Sequence, residues 1–172
     1  MSARTTTGIL GNAGEYHVMS RLLFMGITAC LAPKGAPGID ILVTDAGGAA
    51  YAAIQVKSKR GRIGSSWRLT PKAESLRSEK LFYAFVGFSE SALGLVQELL
   101  IVPSEVVAEF VSLGHQQWLG TPGKDGQSHN DSTVRLFNPN PKAHVLNGKT
   151  YGPGWTKQYS ENWDSIRQAV GS

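Results

Sequence analysis

Apolar and polar positions along the chain follow two rhythms, a helical one at the start and a strand-like one after it. Positions 15, 18, 19, 22 and 26 share a face at 3.6 residues per turn, which predicts a helix from Asn12 to Met25 with Glu15 heading the stripe of Val18, Met19 and Leu22. Asn12 and Glu15 have the spacing of a capping box, and Gly26 closes the segment. The period then shortens: Ile27–Ala32, Ile39–Thr44 and Tyr51–Lys59 read as strands, the last two paired about Gly47-Gly48. Thr70-Pro71 opens an expected helix to about Glu79. Leu81–Phe88 and Leu99–Val102 are apolar enough for buried strands, and Ser104 stands where it would cap a helix that stops at Gly114. The core order is α-β-β-β-α-β-β-α, an α/β class.

From Gly114 the texture changes, with seven glycines and four prolines in the 45 residues to Gln158 and only Val134–Phe137 strand-like. A last amphipathic stretch, Ser160–Val170, puts Trp163, Ile166 and Val170 on one face. A chain of 172 residues fits a single domain: a core over about 8–114, a loop-rich C-terminal appendage over about 115–158, and a C-terminal helix over about 159–171. Trp118, Tyr151, Trp155 and Tyr159 in the appendage serve either as packing anchors or as a subunit interface.

Composition narrows the function classes. With 41% hydrophobic and 17% charged residues the chain has a core to bury. Its apolar runs are far below the ~20 residues of a membrane span, and the polar start over 1–7 lacks a secretory pattern. Cys30 is the only cysteine, which excludes an intrachain disulfide and a cysteine zinc cage. The expectation is a cytoplasmic protein without a membrane partner. The formal charge is +4, but Lys57 to Lys80 holds eight bases against two acids and the remainder is net −2, so the positive excess is local. A polyanionic partner is implied. Gly61-Arg62-Ile63-Gly64 is no phosphate-cradling loop, no G-x-G-x-x-G follows a strand, and a nucleotide cofactor is unsupported. The four histidines lack zinc spacing, and Gly87–Ser91 misses the last glycine of a nucleophile elbow.

One constellation carries chemistry. In the strand Ala53–Lys57, Ile54 and Val56 face one way and Gln55 and Lys57 the other. Asp40 is the single charge in the apolar run Ile39–Val43. Pairing about Gly47-Gly48 lets Asp40 lie beside Gln55 and Lys57, with Glu15 packed at the same sheet edge. Such a set suits metal-assisted phosphodiester hydrolysis, because Mg²⁺ prefers oxygen ligands and keeps several waters. Asp40 is the anionic ligand, and Lys57 positions the attacking water or contacts the phosphate. Taken singly, Glu15 reads equally as a helix cap and Gln55, Lys57 and Lys59 as the wet face of a strand.

Gly11-x-x-Gly14-Glu15-Tyr16, Gly38-Ile39-Asp40 and Gln55-Val56-Lys57, in this order and spacing, resemble the PD-(D/E)xK nuclease superfamily. The chain is most similar to the branch of archaeal Holliday-junction resolvases and cyanobacterial-type homing endonucleases, some of which carry Q-x-K. The resemblance spans Gly11 to about Val107. It implies a restriction-endonuclease-like core with a central mixed β-sheet flanked by helices, Mg²⁺-dependent DNA cleavage (Mn²⁺ substituting), and a homodimer or higher homo-oligomer. It also implies that Glu15 and Asp40 bind or support metal, Gln55 is a neutral ligand, the Val56 carbonyl is a further one, and Lys57 is the catalytic lysine. Two features depart from the pattern: Pro37 lies three positions before Asp40, and Gln55 removes one negative charge from the ion's surroundings. The second favours, as the alternative, a catalytically inactive nucleic-acid-binding or scaffold domain on the same fold. The run Lys59, Arg60, Arg62, Trp67, Arg68 and Lys72 is expected to contact phosphates or stack a base.

Overall fold

The computed structural model describes residues 7–142 and 144–171; the polar start over 1–6 lies outside them. Helix α1 (Thr7–Phe24) is followed by strands β1 (Thr28–Leu31), β2 (Ile41–Thr44) and β3 (Tyr51–Arg60). A short strand β4 (Trp67–Leu69) and one 3-10 turn (Pro71–Glu74) lead to the hairpin of β5 (Leu81–Ser91) and β6 (Gly94–Pro103). Helix α2 (Ser104–Gly120), β7 (Arg135–Phe137), a small hairpin of β8 (His144–Leu146) and β9 (Lys149–Tyr151), a 3-10 turn (Lys157–Tyr159) and α3 (Trp163–Val170) complete the chain. Five strands form one sheet in the order β1-β2-β3-β5-β6, with β3 and β5 parallel and the other pairs antiparallel. The fold is therefore α/β, a central mixed sheet flanked by helices. No helix among the described residues is long and apolar enough to cross a membrane.

Period-two alternation on β3 and β5 divides the core between the two faces of this sheet. One face carries Ile41, Ile54, Val56, Phe82 and Ile101 against Val18 and Leu22 of α1 and Trp163, Ile166 and Val170 of α3. The other carries Tyr83, Phe85, Leu100 and Val102 against Val107 and Phe110 of α2 and Trp67 and Phe137 of the β4–β7 pair. Trp163, Ile166 and Val170 are all buried, as their shared helical face predicts.

Local chemistry moves several boundaries. Helix α1 is already formed at Thr7, so Asn12 lies inside it and the capping box with Glu15 does not exist. Glycine inside a helix costs only about 1 kcal/mol, and Gly8 and Gly11 are absorbed by the helix formers that follow them. The helix expected over 70–79 is the single turn Pro71–Glu74. Serines draw the backbone away from a helical ladder: Ser75 Oγ donates to the Lys72 carbonyl, and Ser78 gives its N–H to Ser104 Oγ at 3.0 Å. Ser104 does not cap α2; it is the buried first residue, and its hydroxyl donates to the Ser78 carbonyl at 3.0 Å. Helix α2 passes Gly114 and ends at Gly120. Leu99–Val102 is the buried half of β6, whose outer half, paired with the end of β5, is solvent-exposed, Leu95 and Val96 included.

Candidate active site

Strand β3 has ten residues and its neighbour β2 only four, so from Gln55 onward the β2 side of β3 runs past its partner. Ile41 pairs with Ile54, which sets Asp40 opposite Gln55. Asp40 donates its own N–H to the Ile54 carbonyl at 2.9 Å and accepts the Val56 N–H on Oδ2 at 2.7 Å. Its carboxylate thus continues the ladder where β2 stops. The carbonyl of a strand residue points to the same edge as its N–H, so the Val56 carbonyl opens on the Asp40 side. Gly38, in a left-handed conformation (φ 73°), turns the chain into Asp40.

Helix α1 closes on the same edge because Gly14 has no side chain. A Cβ there would collide with Ser58 Oγ and stand 3.3 Å from Val56 Cγ1. The next residue, Glu15, is half-buried, and burial together with the Asp40 charge holds its carboxyl above the usual carboxylate range. Lys57 is half-buried too, and burial lowers its ammonium below the usual lysine range against the opposing pull of Asp40. Among the described residues, Glu15, Gln55 and Lys57 make no side-chain hydrogen bond or ion pair. The structure thus brings Glu15, Asp40, Gln55, Val56 and Lys57 to one place, the open edge of β3.

A cleft of about 260 Å³ adjoins this edge, lined by Gly38, Gln55, Lys57, Arg68, Lys72 and Tyr83 among others. The basic run divides around it. Arg68 and Lys72 face the cleft, whereas Arg62 pairs with Glu98 at 3.2 Å and Arg60 approaches Glu90 at 3.9 Å. Lys59 donates to the carbonyl and hydroxyl of Ser65, both at 2.7 Å, and lies 3.9 Å from the Trp67 ring centroid. Burial pushes its ammonium down to about 8. Lys59 is therefore a brace for its own loop. Trp67 corrects the expectation of a base-stacking residue: it is 5% exposed, tilted against Phe85 at 5.1 Å, with its indole N–H donated to the Ile63 carbonyl.

Tyr83 was missed by sequence reasoning. It pairs with Gln55 across the parallel strands, lines the cleft, is 1% exposed, and its hydroxyl has no partner among the described residues. Burial pushes its phenol up to about 12. The available signal was a lone hydroxyl in the apolar run Leu81–Val86. A second cavity, about 520 Å³, lies where α2 meets the appendage, walled by Phe110, His115, Trp118, Val134 and Leu136. There His115 Nε2 sits 2.7 Å from Asp131, and Trp118 stacks on His115 and His129. Tyr151 and Trp155 pack on Phe110, and Tyr159 packs on Trp155, as anchors of the appendage.

No family model matches the sequence, and no curated protein matches it. Among solved structures the chain is similar to a bacterial homing endonuclease, I-Ssp6803I, at 13% identity and TM-score 0.49, over 96% of this chain and 94% of that one. A likeness that loose assigns no chemistry to any residue.

The donor set suits a hard divalent cation. Asp40 Oδ1, the Glu15 carboxylate, the Gln55 amide oxygen and the Val56 carbonyl are all oxygens, without sulfur or imidazole. Burial raises Glu15 most and the Asp40 charge adds to it, and a cation between the two carboxylates would relieve that second part. No cluster of three or more His, Cys, Asp or Glu side chains is placed to hold a metal among the described residues, and Gln55 adds a neutral oxygen rather than a carboxylate to this edge.

Proposed function

We propose that the chain is a metal-dependent DNA endonuclease of the PD-(D/E)xK kind, hydrolysing phosphodiester bonds at the open edge of β3. The observation that carries this reading is the meeting of Glu15, Asp40, Gln55 and Lys57, from a helix, a turn and a strand, beside a cleft that also presents Arg68 and Lys72. Mg²⁺, or Mn²⁺ in its place, would be held by Asp40, Glu15, Gln55 and the Val56 carbonyl and would supply positive charge to the scissile phosphate and acidity to a bound water.

The chain's own residues do the remainder. Asp40 is fixed by the Val56 N–H, so one carboxylate oxygen is locked and the other stays available. Lys57 donates a hydrogen bond to the attacking water or to a non-bridging phosphate oxygen, and its burial makes that charge count for more than it would in solvent. Arg68 and Lys72 hold the strand by its backbone. Cutting both strands of a duplex requires two such sites, so a homodimer or higher homo-oligomer belongs to the reading.

Cleavage decides it. Purified protein with Mg²⁺ or Mn²⁺ is expected to cut at least one of linear duplex, plasmid, flap and four-way-junction DNA, with activity lost in Asp40→Asn and Lys57→Ala. Failure to cut any of them, or variants as active as wild type, overturns the assignment. The neutral Gln55 favours one second reading, a catalytically inactive nucleic-acid-binding or scaffold domain, which binds DNA in a salt-sensitive, metal-independent manner.

A further inference from the structure

Three cations, Lys57, Arg68 and Lys72, line the 260 Å³ cleft, and none of them forms an ion pair among the described residues. Elsewhere in the basic stretch Arg62 pairs with Glu98 and Arg60 approaches Glu90, whereas Lys59 and Arg77 donate to neutral oxygens outside the cleft lining. Two acids of this region already accept hydrogen bonds. Glu74 is held by Arg135 at 2.6 Å, and Asp40 by the Val56 N–H. Leu69, Ala73, Leu76 and Tyr83 make the cleft's apolar wall, which strengthens any electrostatic contact formed against it. Thr70 and Gln55 add neutral polar groups with no side-chain partner. Three cations on one cleft, Lys57 half-buried and Arg68 and Lys72 exposed, give it a positive field that a small, dense anion would complement.

We infer that this cleft is an anion subsite that takes one phosphate group without a metal ion, through Arg68, Lys72 and the cleft side of Lys57. Lys57 is the residue common to both places, lining the cleft and feeling the Asp40 charge. The subsite therefore adjoins the proposed cleavage point and would seat the phosphate next to the one being cut. That this phosphate belongs to a nucleic-acid strand rests on the nuclease reading; that the cleft takes phosphate does not.

The test uses the full chain in EDTA, titrated with inorganic phosphate at constant ionic strength held by chloride, and followed by backbone amide NMR. Saturable shifts are expected at Arg68, Leu69, Thr70 and Lys72. Arg68→Gln and Lys72→Gln should each weaken phosphate about tenfold or more, in line with the loss of one charge-assisted hydrogen bond. Arg62→Gln, from the same basic run but paired outside the cleft, should leave the affinity unchanged. Shifts that spread over every basic residue, that chloride reproduces, or that Arg62→Gln abolishes equally would overturn the inference. DNA cutting without phosphate saturation at the cleft defeats this subsite alone. Phosphate saturation without DNA cutting under any metal defeats the nuclease reading and leaves the subsite standing.

Discussion

On the face of the sheet covered by α1 and α3, Ile41, Ile54, Val56 and Ile101 meet Val18, Leu22 and Ile166, and the layer is mainly aliphatic, with Phe82 and Trp163 as its buried aromatic members. On the face beneath α2, Tyr83, Phe85, Phe110, Phe137 and Trp155 form an aromatic stack, with Phe85 and Phe137 parallel at 4.6 Å and Phe110 and Trp155 at 5.1 Å. Gln55 and Lys57 stand in the rows next to that stack, paired across β3 and β5 with Tyr83 and Phe85. That face is closed by two helices. The other is closed by α2 and the β4–β7 pair, and the cleft opens beside the 3-10 turn Pro71–Glu74. Stability and chemistry are thus neighbours on one face, separated by a strand-to-strand spacing of ~4.8 Å.

Substitutions can test that separation. The largest effect is expected on the aromatic side. Phe137→Ala removes a fully buried ring stacked on Phe85 and should cost about 3–5 kcal/mol of stability, read by urea unfolding. Phosphate binding at the cleft should persist wherever the variant remains folded. A loss below 1 kcal/mol would show that the stack is not what holds the appendage.

On the polar side the effect should fall on activity instead. Lys57→Ala is expected to lower cleavage by about 10²–10³-fold while the melting temperature stays within a few degrees, because the ammonium forms no ion pair among the described residues and its burial opposes its charge. A melting temperature that collapses together with activity would assign Lys57 to structure.

Gly14→Ala joins the two properties. Its methyl group meets Ser58 and Val56, so α1 must move away from β3 at a cost of about 1–3 kcal/mol, carrying Glu15 with it. Ser58→Gly in the same chain should restore both stability and cleavage. If the double variant recovers stability alone, Glu15 is not set by this close approach.

The smallest effect concerns Tyr83. Its buried hydroxyl has no partner among the described residues, so Tyr83→Phe should melt at the same temperature or higher. A phenol held up at about 12 in the fold, against about 10 when unfolded, binds its proton more tightly when native. The stability this gives is complete below pH ~10 and is lost as pH rises through ~12. Alkaline unfolding should therefore be less steep in Tyr83→Phe; identical alkaline limbs would mean that the hydroxyl is solvated.

The strands around Asp40, Gln55 and Lys57 were legible because alternation assigns side chains to faces whatever surrounds them. Trp163, Ile166 and Val170 were legible for the same reason on a helix. Illegible were the roles of Ser78 and Ser104, whose mutual hydrogen bonds span 26 positions and replace both a helix and a cap. Trp67 misled because an aromatic residue between arginines has the same local sequence whether it is outside or, as here, under a neighbouring strand.

By itself the sequence determined the periodicities, the pairing of β2 with β3, the local basic excess and the four side chains here proposed for metal-assisted chemistry. Only the tertiary structure decided that β2 ends early and leaves the β3 edge to Asp40, that Gly14 admits α1 against it, and which of the basic residues face the cleft. The physical reason is range. Side-chain direction within an element follows from backbone geometry a few residues long, whereas access and neutralisation of charge depend on contacts between segments far apart in the chain.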